Sequence, residues 1–213
     1  MTDGTMTEFQ FGGRLSLDLT WTLRYRSVWP TELLGSPDNL CVWLDAVGLP
    51  APATPTERDL ADTRALREAT YRAATALIDG RAIAADDRDV INHWATQPPP
   101  SPRLEIDGTR RLVTEDDREL RAALSAVARD AIELLAAHDD RLRRCGGPLC
   151  SLLFHDNSRP GTRRWCSTTG CGNKVNTKAY RTRQRSAAAD QNDAEQLDSD
   201  HQPRRTSRRA PTR

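Results

Sequence analysis

Arg144-Cys145-Gly146-Gly147-Pro148-Leu149-Cys150 and, fifteen residues further on, Cys166-Ser167-Thr168-Thr169-Gly170-Cys171 decide how the last third of this chain folds. Two short-spaced cysteine pairs separated by a loop can wrap four thiolates around one tetrahedral zinc ion. Each pair must turn sharply to bring both sulfurs to one metal, and Gly146, Gly147, Pro148 and Gly170 permit such turns. Four thiolates leave no open coordination position, so the ion is structural rather than hydrolytic. His155 and Asp156 are close enough in sequence to be alternative ligands, but Cys145, Cys150, Cys166 and Cys171 already complete the shell. The surrounding segment has few large apolar residues, and a metal is its evident source of stability.

That segment is also strongly basic. Residues 141–185 hold 11 Lys and Arg against one acidic residue, whereas residues 1–140 hold 24 Asp and Glu against 15 Lys and Arg. The formal net charge of +1 hides this asymmetry. Opposite fields on adjoining parts of one chain point to a polyanionic partner for the basic part and another task for the acidic part, which can also mask its neighbour. After Cys171, Gly172-Asn173 should open a helix on which Lys174, Lys178, Arg181 and Arg185 share one face, with Val175 and Ala179 on another. Such a stripe suits phosphates or a major groove, and Arg159, Arg163 and Arg164 add guanidinium groups in the loop between the pairs. Trp165 is read as a cover for the metal.

The rest reads as a helical domain. Ser36-Pro37 begins a helix with Leu40, Trp43, Leu44 and Val47 on one face. Thr54-Pro55-Thr56-Glu57 begins another, striped by Leu60, Leu66, Ala69, Ala73 and Leu77. A third helix spans about 86–96, with Val90, Ile91 and Trp94 inward. Leu104 to Thr109 with Leu112-Val113 forms a hairpin around Asp107-Gly108. The longest helix is expected from Thr114, carrying Leu120, Leu124, Val127, Ala131, Leu134 and Leu135. Cys41 is read as a small buried hydrophobe. No apolar run is long enough to span a bilayer, and no signal pattern opens the chain, so the cytoplasm is expected, where thiols favour metal over disulfides. The residues beyond 186 have almost no large apolar side chain and are expected to be a disordered tail.

Arg144-Cys145, Cys150, Leu153-Phe154-His155-Asp156-Asn157-Ser158-Arg159, Arg163-Arg164-Trp165-Cys166-Ser167 and Cys171-Gly172-Asn173-Lys174 resemble the CGNR zinc finger. Leu15-Ser16-Leu17-Asp18-Leu19, Leu40 with Trp43-Leu44, Leu66-Arg67-Glu68-Ala69, Ile91-Asn92 and Ala128-Arg129-Asp130-Ala131 resemble the ABATE domain of bacterial stress-induced transcription regulators. The resemblance implies that the four cysteines bind zinc and that the finger contacts DNA. Lys174 stands where the finger family has arginine, which keeps the charge and loses the planar fork. Thr20-Trp21-Thr22 places a tryptophan where the ABATE family commonly has an asparagine-threonine pair.

The expected architecture is mainly α with a small β-hairpin: an ABATE-like helical domain over 1–140, a four-cysteine zinc finger over 141–185 and a tail over 186–213. The expected function is that of a non-enzymatic, zinc-binding, DNA-binding transcription regulator, with a small-molecule effector or a homodimer contact at the helical domain and no membrane. RNA binding and a protein-interaction finger are the alternatives. No catalytic constellation is visible in the sequence.

Overall fold

Leucine and alanine stripes on five helices meet in one apolar core, and this core positions everything else. The computed structural model describes residues 9–173 apart from positions 116 and 138. In chain order the elements are α1 (Leu15–Thr20), β1 (Leu23–Arg24), β2 (Thr31–Glu32), α2 (Pro37–Ala46), α3 (Glu57–Ile78), α4 (Ala85–Ala95), β3 (Ser101–Leu104), β4 (Arg110–Val113), α5 (Glu119–Ala136), β5 (Leu142–Arg144) and β6 (Leu153–His155), with a π-helical turn over Thr168–Gly172. The three sheets are antiparallel pairs, β1 with β2, β3 with β4 and β5 with β6. The described residues are mainly helical, as the sequence indicates, with three small antiparallel pairs where it indicates one hairpin.

The start signals act as their chemistry requires. Ser36 accepts a hydrogen bond from the Asn39 N–H and Pro37 occupies the first turn of α2. Thr56 and Asp59 form a reciprocal capping box on α3. α3 packs on α4, α5 and α1, burying Leu60, Leu66, Ala69 and Ala73 against Ile91, Leu124, Val127 and Ala131.

The structure departs from three expectations. Among the described residues the longest helix is α3 at 22 residues, not α5 at 18. Nor does α5 start at Thr114: the β3–β4 register runs through Val113, opposite Ser101, and Asp117 takes a left-handed backbone at φ 62° that a helix cannot pass through. The helix therefore begins at Glu119. Cys41 is half-buried on α2, its thiol facing the Pro52 carbonyl at 3.6 Å, while its neighbours Leu40, Trp43 and Leu44 fill the core. The described residues up to Gly172 form one compact unit, and α1 and α3 touch β5 or β6 directly. Lys174, Lys178, Arg181 and Arg185, with the expected basic helix and the expected tail, lie outside the described residues.

Candidate metal centre and its basic surface

Hydrogen bonds on the backbone of the last hairpin fold the two cysteine pairs toward each other. β5 and β6 pair Leu142 with His155 and Arg144 with Leu153. Just beyond β5, the Cys145 N–H donates to the Leu152 carbonyl at 2.9 Å, and the Cys150 N–H donates to Gly147 O at 3.0 Å, closing the first turn. The second pair is drawn in when the Gly146 N–H donates to the Arg164 carbonyl at 2.9 Å. Its own turn closes through the Gly172 N–H on Ser167 O at 3.0 Å. A Cβ at position 147 would sit 3.0 Å from the Cys150 Cβ and 3.2 Å from the Cys171 Sγ, so any larger residue there would crowd the cysteine cluster.

The four Sγ atoms lie within 4.8 Å of one another. Cys166 Sγ is 3.8 Å from both Cys150 Sγ and Cys171 Sγ. A tetrahedral zinc with bonds of ~2.3 Å places its sulfurs about 3.8 Å apart, so the donor set fits one ion both in chemistry and in spacing. Hydrogen bonds from the Cys150 and Cys166 thiols, with one from the Cys166 N–H at 3.3 Å, hold the Cys145 thiol far below its ordinary pKa, while the same contacts push the Cys150 thiol up to about 12 and the Cys166 thiol up as well. His155 is not among the ligands: its ring nitrogens face Asn157 Oδ1 at 2.6 Å and Asp139 Oδ2 at 3.1 Å. Trp165 packs against the cysteine cluster, consistent with its reading as a cover.

Asp156, wholly buried, organises the loop between the pairs. Its carboxylate accepts the Ser158 N–H at 2.9 Å and the Arg163 N–H at 2.7 Å. Hydrogen bonds from Ser158 and Arg163 hold its pKa down at about 2. Arg141 fastens the same loop by donating to the Asp156 and Ser158 carbonyls at 2.7 and 2.8 Å. Of the predicted nucleic-acid residues, Arg159 and Arg164 are exposed, with the Arg164 guanidinium 5.3 Å from the Trp165 ring centroid. Arg163 is turned inward, donating to the carbonyls of Trp165 (2.9 Å) and Cys166 and lying 5.0 Å from the Phe154 ring.

Three residues outside the finger complete the site, and sequence reading gave them no such role. Trp21, 3% exposed, joins Cys145, Leu152, Phe154 and Cys166 in one apolar cluster, and its indole N–H donates to the Leu153 carbonyl at 2.6 Å. The Tyr71 hydroxyl donates to Ser151 O at 2.9 Å. The Arg26 N–H donates to the Ser151 hydroxyl at 3.0 Å, while its guanidinium covers the Tyr71 ring at 3.9 Å and pairs with Glu68. The available signal was the large aromatic Trp21 set between Thr20 and Thr22.

Residues 13–138 match the ABATE family, described as a putative stress-induced transcription regulator, and residues 141–184 match the CGNR zinc finger. No curated protein matches the chain. Among the described residues, no helix is long and apolar enough to cross a membrane.

Proposed function

The chain belongs to the ABATE family and carries a zinc-binding CGNR finger, and we propose that it regulates transcription by setting that finger on duplex DNA. One observation carries the reading: four cysteines gathered for one zinc ion fix a loop whose exposed face carries Arg159 and Arg164. In this reading residues 1–140 act as the regulatory domain and 141–185 as the reader. Arg159, Arg164, Lys174, Lys178, Arg181 and Arg185 supply phosphate contacts. Arg163 contributes by holding the loop. The metal holds the fold and takes no part in any chemical step, and no catalytic residue is assigned.

A finger with these six phosphate contacts binds weakly, with a salt slope of roughly −5.4 on logarithmic axes. Usable specificity then calls for a second copy or for an effector that changes how the helical domain presents the finger. The Trp21 and Tyr71 contacts to β6 and its preceding loop provide the mechanical connection.

The test is recovery of fragments from genomic DNA by the full chain, with Cys166→Ser as control and structured RNA and a sulfated polymer as competitors. Wild type should enrich a distinct set that the variant loses. Equal recovery by both, or equal displacement by the sulfated polymer, contradicts the reading. Preferential retention of RNA moves the function to RNA.

A further inference from the structure

The seam between the helical domain and the finger contains a hollow of 640 Å³. Its floor is apolar, built from Leu77 on α3, Leu134 and Leu135 on α5, and Leu142 on β5. Arg144 and Arg164 line its finger side. A smaller cavity of 260 Å³, lined largely by apolar side chains including Ile83, Ile91 and Ile132, shares Leu77 and Leu135 with it. The volume lies in the range of small-molecule sites, which favour domain junctions and combine an apolar wall with a few polar groups.

The charges of this hollow are unevenly committed. Arg144 is shared with Asp79 at 3.1 Å, and Arg143 donates to the Asp140 carbonyl at 3.0 Å. Asp139 faces His155, and Asp140 also lines the hollow, against Arg143, Arg144, Arg163 and Arg164. Arg164 forms no ion pair among the described residues, and its guanidinium rests near the Trp165 ring. The helical side is electrostatically opposite: α3 and α5 end at Ile78 and Ala136, so the negative ends of both helix dipoles lie there. An anionic head is therefore repelled from the helix ends and drawn to Arg164, with Arg144 as the second donor. Leucines serve no purpose beneath a phosphodiester strand, which favours aromatic platforms for its bases; they suit an alkyl or aromatic body.

We infer that this seam binds a small amphipathic organic anion, a medium-chain carboxylate or its like, with its head on Arg164 and Arg144 and its body on Leu77, Leu134, Leu135 and Leu142. The inference rests on the effector reading above and gives it a place and a ligand class. A molecule so seated touches α3, α5 and β5 at once, and its occupancy bears directly on how the finger is held.

The test is a titration of the zinc-loaded full chain with decanoate, followed by methyl NMR shifts, with decanol and inorganic phosphate as body-only and head-only controls. Decanoate should saturate and shift the methyls of Leu77, Leu134, Leu135 and Leu142. Arg164→Gln should weaken it about tenfold, as loss of a charge-assisted hydrogen bond does. Zinc content, measured in both proteins, confirms that the variant is folded. Equal binding of decanol, equal binding of phosphate, shifts elsewhere, or no saturation overturns the proposal. So does a seam that ignores decanoate and responds to duplex DNA. No nucleic acid is needed to read decanoate binding, so failure here is distinct from failure of the DNA reading.

Discussion

Asp18 shows how one buried carboxyl sets a pH dependence. It is 7% exposed and accepts the Gly12 N–H, and burial, with the nearby Asp130 charge adding to it, raises its pKa to about 6. Asp130 is itself engaged by Arg14 at 3.1 Å and by the Ser16 N–H at 2.8 Å. Because the folded value lies above the unfolded one, the native state keeps a proton that the unfolded chain releases. Stability from this group is therefore full below about pH 4 and falls as pH rises toward 6. Asp18→Asn should raise urea-unfolding stability at pH 7.5 by up to about 3 kcal/mol and change little at pH 3.5; an equal effect at both pH values contradicts the assignment. Trp21→Ala should cost about 3–5 kcal/mol in thermal unfolding and speed zinc loss to a chelator, whereas Trp21→Phe should cost less. Unchanged zinc retention would separate Trp21 from the metal site. The four cysteines were legible because metal ligation imposes spacing along the chain. Trp21 was not, because its acceptor, Leu153, is 132 residues away.

Local chemistry decided most elements. Ser36-Pro37 and Thr56 with Asp59 begin α2 and α3 where side-chain oxygens meet free N–H groups. Thr56→Ala removes the capping box and should lower stability by about 1 kcal/mol, read from the urea midpoint at unchanged slope; no shift would mean that packing alone fixes the start of α3. Thr114 misleads because it has cap chemistry without cap geometry: it directly follows Val113, the last paired residue of β4, and Asp117 then reverses the backbone. β5 carries no strand signal in the sequence. Leu142-Arg143-Arg144 reads as part of a charged patch, and only pairing with Leu153–His155 makes it a strand. In sequence Asp156 is no more than a spare ligand, whereas burial and two backbone N–H donors make it the pivot of the inter-pair loop.

Across the whole molecule, the acidic and basic parts meet rather than merely adjoin. Asp79 pairs with Arg144, Asp139 lies within hydrogen-bonding distance of the His155 ring, and Trp21 reaches into the apolar cluster formed around the cysteines. The charge asymmetry was visible in the sequence, but not which carboxylates answer which cations. A metal that binds only the folded finger also stabilises whatever the finger packs against. Chelation should therefore lower the melting temperature read by helical circular dichroism, and readdition of zinc should restore it; an unaffected helical transition would mean that the finger and the helices unfold independently. The most direct measurement is zinc K-edge X-ray absorption on the reduced, purified full chain together with metal quantitation. The account predicts one zinc per chain with four sulfur neighbours at about 2.3 Å and no nitrogen or oxygen in the shell. A mixed shell, or material without stoichiometric zinc, contradicts it.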